Sequence, residues 1–188
     1  PDWHKCFVFS TVELQARMVQ RGRALVLLGP SRCTVQEQIQ PDLREGQALI
    51  KIAAVGVCAT DVELFEGTMG YYEAGLSSWP LIPGHEWVGE IVALGPDAPS
   101  HLAIGQHVIG EHMTGCQELA MLPEKSRASK RSKTADFMGM AFNAGKCRAC
   151  ALHGGFMCPG RAETGFFKRS GAFQTFMVFP AKQLHIIP

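Results

Sequence analysis

No run of apolar residues in this 188-residue chain approaches the roughly 18 that a membrane-spanning helix needs. The first twenty residues lack a basic start followed by an apolar core, so no secretory leader is read there. A dominant charge is missing too. Lys and Arg number 18 against 17 Asp and Glu, a net charge of +1, which gives no global reason to expect nucleic acid or an acidic membrane surface. No Gly-x-Gly-x-x-Gly turn follows a strand-like run, so the fingerprint of a dinucleotide-binding βαβ unit is absent from this chain. Charged residues are scarce at 19%, but hydrophobic residues reach 46%, a balance that excludes disorder and fits a globular domain. The chain starts at Pro1 rather than Met. It therefore reads as a fragment or a processed product, with Met18 as an alternative start.

What is present is a series of short β runs punctuated by Gly and Pro. Strands are expected at 24–28, 33–39, 48–57, 87–94, 107–110, 172–179 and 184–187, with one or two helical turns at 60–66. Thr60 or Asp61 is available to cap that helix. Many short strands with few helices predict a mainly β fold, a partly open antiparallel barrel. Residues 1–17 show no period and read as an appendage, leaving 18–188 as the domain. Within it, 117–146 stands apart: it carries six Lys/Arg against three Asp/Glu, and its centre, 124–134, has few residues able to build a core. It reads as a solvated surface insertion. The rival reading of such a basic run is nucleic-acid binding, which is not expected here.

Seven cysteines is an odd number, and Cys147-x2-Cys150-x7-Cys158 packs three of them at metal spacing. Without a secretion signal, metal ligation or free thiols are expected rather than a disulfide framework, and the cytoplasm is the expected compartment. A second set is Cys58-Ala-Thr-Asp61 followed by Gly84-His85-Glu86. Each residue has a plainer role: Cys58 as a small buried hydrophobe, His85 as a satisfied polar residue, Glu86 as a solvated carboxylate. Context favours a site. Cys58 ends a strand run, Pro83-Gly84 can turn the His85 ring outward, and Asp61 can orient a ligating imidazole.

The stretches Gly56-Val-Cys-Ala-Thr-Asp61, Pro83-Gly-His-Glu86, Val88-Gly-Glu-Ile-Val-Ala-Leu-Gly95 and Gly171-Ala-Phe-Gln-Thr-Phe-Met-Val-Phe-Pro-Ala181 resemble, in that order, the medium-chain zinc alcohol dehydrogenase family. The similar branch includes sorbitol and threonine dehydrogenases. The resemblance runs from about Arg23 to Pro188, outside the basic insertion, and implies the GroES-like catalytic domain. It implies that Cys58 and His85 ligate a catalytic zinc, that Glu86 lies close enough to ligate it in some states, and that Asp61 supports His85. Thr60 would hydrogen-bond the substrate hydroxyl and pass its proton outward. Glu63 stands where some relatives carry a proton-relay His. A further catalytic ligand, and the Rossmann domain that binds NAD or NADP, would lie beyond Pro188.

The family's structural zinc lobe has four cysteines, and the position three before Cys147 is Ala144. Cys116 repairs the pattern. It precedes Cys147 by 31 positions, and removing 28 inserted residues restores the family spacing of three. Cys116, Cys147, Cys150 and Cys158 are thus expected to hold a structural zinc, with 117–146 inserted between the first two. His112 and His153 are nearby stand-ins, and three free thiols remain the plainer alternative. Tyr71, Tyr72 and Trp79 either shape a substrate pocket or pack a core. The implied function is the catalytic-domain portion of a zinc-dependent, NAD(P)-linked dehydrogenase of alcohols and ketones, inactive without its nucleotide-binding domain. The alternative is a zinc-binding module without catalysis.

Overall fold

The computed structural model describes residues 21–116, 147–153 and 155–188. The appendage at 1–17 and the basic insertion at 117–146 lie outside them. Among the described residues the fold is mainly β with three short helices, as the turn-punctuated sequence implies.

The centre is a five-stranded antiparallel sheet in the order β10-β5-β4-β3-β9. Its strands are β3 (Gln47–Val55), β4 (Trp87–Leu94), β5 (His107–Gly110), β9 (Phe176–Pro180) and β10 (Leu184–Ile186). Inward positions of these strands supply Ile50, Ile91, Val108, Met177, Phe179 and Leu184, all buried in one core. Gly89 is required in β4 because a Cβ there would press on the Ile50 side chain and the Lys51 carbonyl. A second layer is the hairpin β1 (Arg21–Gly29) and β2 (Arg32–Ile39). β1 alternates buried and exposed residues, as a half-buried strand should. Isolated bridges Ala24↔Gln174 and Leu27↔Leu81 tie it to the rest.

A third, small sheet comprises β6 (Met113–Thr114), β7 (Ala162–Thr164) and β8 (Lys168–Arg169). None of its strands is readable in the sequence, and β7 and β8 pair in parallel, unlike the other strand pairs described. Two or three residues cannot display an alternation. β9 begins four residues later than expected, because 171–173 are occupied in backbone bonds to the 82–84 turn. Helix α1 (Ala59–Glu66) lies where a helical turn is expected, and α2 (Gly70–Glu73) follows it. α1 packs Leu64, fully buried, into a second apolar cluster with Leu27, Leu81, Phe166 and Phe167. Gly67 ends α1 in the left-handed region at φ 79°, where a side chain would be strained. Helix α3 (Arg148–His153) leads into a 3-10 turn at Gly155–Met157. No helix among the described residues is long and apolar enough to cross a membrane.

Candidate metal centres

β3 and β4 pair up to Val55↔Trp87, and the Gly56 N–H continues the contact by donating to the Glu86 carbonyl at 2.6 Å. This register carries residues 56–58 to the turn that bears His85. The turn itself is pinned from behind. Gly171 donates to Ile82, Ala172 to Gly84 and Phe173 to Pro83 through backbone N–H groups. Gly84 sits at φ +97°, and a Cβ there would come within 2.9 Å of the Phe173 nitrogen. Only glycine makes that turn without strain. At Gly56 a Cβ would lie 2.7 Å from the Glu86 carboxylate, so the missing side chain is the room Glu86 occupies.

Cys58, rather than Thr60 or Asp61, is the N-cap of α1, so the helix starts at Ala59 and the two expected caps are its second and third residues. Asp61, the third helical residue, accepts the Cys58 backbone N–H on Oδ2 at 3.0 Å, half of a capping box. Its other oxygen, Oδ1, faces His85 Nδ1 at 3.6 Å. Both atoms are buried, and neither has a hydrogen-bond partner among the described residues. The opposite side of the ring, Nε2, faces Cys58 Sγ at 3.3 Å. A proton on Nδ1 is the arrangement a carboxylate favours, and it leaves the Nε2 lone pair free beside the thiol. The Cys58, Asp61 and His85 ligand atoms all lie within 4.8 Å of one another. Tetrahedral bonds of about 2.3 Å to sulfur and about 2.05 Å to nitrogen set the two donors about 3.6 Å apart, close to the observed spacing. Glu86 Oε1 stands 4.0 Å from His85 Nε2 on a half-exposed side chain. Thr60 lies in the first turn of α1, partly buried. Glu63 is exposed on the same helix, and its backbone carbonyl closes the C-terminus of α1.

The four cysteines meet at the end of the small sheet. Cys116 follows β6, Cys147 and Cys150 flank the start of α3 one turn apart, and Cys158 follows the 3-10 turn. All four sulfurs lie within 4.8 Å of one another. Cys116 and Cys150 are 3.7 Å apart, and Cys147 and Cys158 are 3.8 Å apart. A tetrahedron with metal–sulfur bonds of about 2.3 Å has edges of about 3.8 Å. The backbone N–H of Cys150 lowers the Cys147 thiol to about 7, whereas burial pushes Cys116 up. Soft thiolates in a tetrahedral set suit zinc.

His112 does not join this thiol group. It turns instead toward the other cluster, with its ring centroid 5.5 Å from that of His85. The side chain of His153 lies outside the described residues. Tyr72 stacks on Trp79 at 4.0 Å and 18°, and both pack on the second apolar cluster. The packing half of the expectation is what these contacts show, and the Tyr72 hydroxyl also donates to the Leu64 carbonyl at 3.1 Å. Tyr71 differs in its acceptor, since its hydroxyl donates to the Glu163 carboxylate at 3.2 Å. Glu163 itself has no signal in the sequence. Nothing in Ala162-Glu163-Thr164 marks a carboxylate that is 2% exposed.

The fold is a mainly β domain carrying two groups of residues that could hold a metal ion, and comparison gives its family. The family described as the alcohol dehydrogenase GroES-like domain matches residues 44–188. The chain belongs to this family of oxidoreductases. It is similar to erythritol/L-threitol dehydrogenase of Mycolicibacterium smegmatis, 28% identical over 172 residues, covering 88% of this chain and 40% of the relative. L-threonine 3-dehydrogenase of Ruegeria pomeroyi is 38% identical over 91 residues, covering 48% of this chain and 24% of that one. Among solved structures, an alcohol dehydrogenase from a Thermus species superposes with a TM-score of 0.62 at 23% identity, covering 88% of this chain and 40% of its own. Galactitol-1-phosphate dehydrogenase from Escherichia coli gives 0.64 at 20% identity, covering 88% and 38%. These likenesses show the fold. The chain spans about two fifths of the length of the first of these curated relatives.

Proposed function

We propose that this chain is the zinc-holding catalytic portion of an NAD(P)-linked dehydrogenase of small alcohols and ketones. The observation that carries the reading is the 3.3 Å approach of Cys58 Sγ to His85 Nε2, with Asp61 behind the ring at 3.6 Å. Cys58 and His85 hold the metal. When bound there, zinc supplies Lewis-acid polarisation of an alcohol or carbonyl oxygen. Asp61 keeps the His85 proton on Nδ1 and the ring in line. Glu86 keeps a mobile carboxylate beside the imidazole, able to approach or leave. Thr60, two residues from Cys58 in the first turn of α1, accepts the substrate hydroxyl proton and passes it outward. Cys116, Cys147, Cys150 and Cys158 close around a second, structural zinc. NAD or NADP, held by a nucleotide-binding domain outside residues 1–188, would accept the hydride that leaves the alcohol carbon. The site belongs to the cytoplasm, where thiols stay reduced.

Metal analysis with a turnover assay tests the reading. The purified chain should carry two zinc ions. Cys58→Ser should remove one, and Cys150→Ser should remove the other. With NAD or NADP and a panel of secondary alcohols, the chain alone should not turn over. Zinc content that ignores Cys58→Ser would overturn the catalytic assignment and leave a single-zinc module.

A further inference from the structure

Beside the His85 cluster lies a polar group that none of the assignments above uses. Glu163 is 2% exposed, and its carboxylate meets donors from three separate parts of the chain. Arg161 Nε donates to Oε1 at 3.0 Å. The Tyr71 hydroxyl, from α2, donates to Oε2 at 3.2 Å. His112 Nε2, from the turn before β6, faces the same oxygen at 3.7 Å. A buried carboxylate is costly unless its oxygens are met; burial pushes its pKa up, and His112 and Arg161 together bring it below its ordinary value. An ion pair with Arg161 alone would not require burial, since Arg161 is itself 37% exposed.

The partners converge on one ring. Phe166 packs against His85 at 4.5 Å, His112 at 4.9 Å and Tyr71 at 6.1 Å between centroids. His112 also lies edge-on to His85. So the imidazole has a carboxylate, Asp61, behind it and this aromatic wall along its side. The wall is anchored in the lobe that carries the thiols, because Arg161 donates its backbone N–H to the Cys158 carbonyl at 3.0 Å.

We propose that Glu163 is a positioning residue for His85: it clamps Tyr71 and His112 around Phe166 and so fixes the imidazole that would hold the metal. This rests on the metal reading of Cys58 and His85. The clamp also links the thiol lobe mechanically to the open cluster, through Arg161 on one carboxylate oxygen and the wall on the other.

The test is Co(II) titration of the full chain, followed by the ligand-field bands. The variants are Glu163→Ala, Glu163→Gln, Tyr71→Phe and the Ala/Phe double substitution. The wild-type chain should bind two ions, and Cys58→Ser should identify the band of the open site. Glu163→Ala should weaken Co(II) at that site about tenfold, the low end of what losing an outer-shell partner costs, and shift its band. Glu163→Gln still accepts the Tyr71 hydrogen bond and should recover most of the affinity. The double variant should bind no more weakly than Glu163→Ala, because both changes remove one interaction. The thiolate band of the four-cysteine cluster should persist in each variant and report a folded lobe. If Glu163→Ala loses that band, Glu163→Gln and Tyr71→Phe carry the test, with Tyr71→Phe weakening the open site severalfold. Open-site affinity within twofold of wild type in every folded variant would overturn the clamp while leaving the metal reading intact. A wild-type chain whose bands ignore Cys58→Ser would overturn the metal reading, and the clamp with it.

Discussion

The two candidate metal clusters are built in opposite ways. The thiol cluster supplies four like donors within 4.8 Å of one another, two of the pairs at 3.7 and 3.8 Å, a full tetrahedral set with no position left for anything else. The other joins one thiol and one imidazole, with a carboxylate already committed to a helix N-terminus and to the back of the ring. It is chemically open. The thiol cluster rests on short elements, a six-residue helix and two- and three-residue strands. The open cluster stands on the ends of β3 and β4, the longest strands of the central sheet. A closed site can organise the chain around it, because metal binding is folding free energy there. An open site must be organised by the chain, because its ligands alone are too few.

The largest effect expected from this contrast is the loss of the thiol-site metal. Closed sites in small domains contribute on the order of 10 kcal/mol to folding. Cys150→Ser should therefore abolish the cooperative unfolding of the lobe, read by calorimetry. Cys58→Ser should move the midpoint by only a few degrees, as expected for about 1 kcal/mol in a domain of this size. Equal thermal effects of the two substitutions would break the comparison. Next is Leu64→Ala under α1. Leu64 is fully buried, and its truncation should cost about 2–5 kcal/mol. Denaturant unfolding checks the cost, and zinc titration should show weakening at the open cluster alone. Asp61→Asn comes third. It keeps an acceptor for the Cys58 N–H but removes the charge behind His85, and metal affinity at the open cluster should fall about 10- to 100-fold. Affinity unchanged by Asp61→Asn would mean that the ring is held by packing alone.

The smallest effect is a pH dependence. Burial raises the Glu163 pKa, but His112 and Arg161 outweigh it and lower it from 4.5. A depressed folded-state pKa contributes stability that is fully present above the unfolded value and is lost as pH falls through the folded one. Acid unfolding below about pH 4.5 should therefore be shallower in Glu163→Gln than in the native chain. Identical acid limbs in the two proteins would remove Glu163 from the balance.

Much of the open cluster was legible because its signals are local. Cys58, Asp61, Gly84 and His85 each stand in a short stretch whose backbone task can be read. A strand ends, a helix is capped, and a glycine turns the chain. The fourth thiol could be read across 31 positions because cysteine spacing survives an insertion between ligands. The small sheet was not legible, since strands of two or three residues carry no period. Nor was α2, a single turn opening on a glycine. Nothing local distinguishes His112 as a neighbour of His85 rather than of the thiols. Tyr71 read equally well as pocket or core, and it became polar machinery only through a carboxylate 92 positions away.

By itself, then, the sequence determined the strand-rich class, the cap and turn that present Cys58 and His85, and the donor chemistry of both clusters. These follow from propensity, capping and ligand softness, which act over a few residues. Tertiary structure alone decided that β3 and β4 bring Cys58 to His85, and that a carboxylate is buried beside them. Register and burial are properties of paired and packed segments, and no single segment contains its own partner.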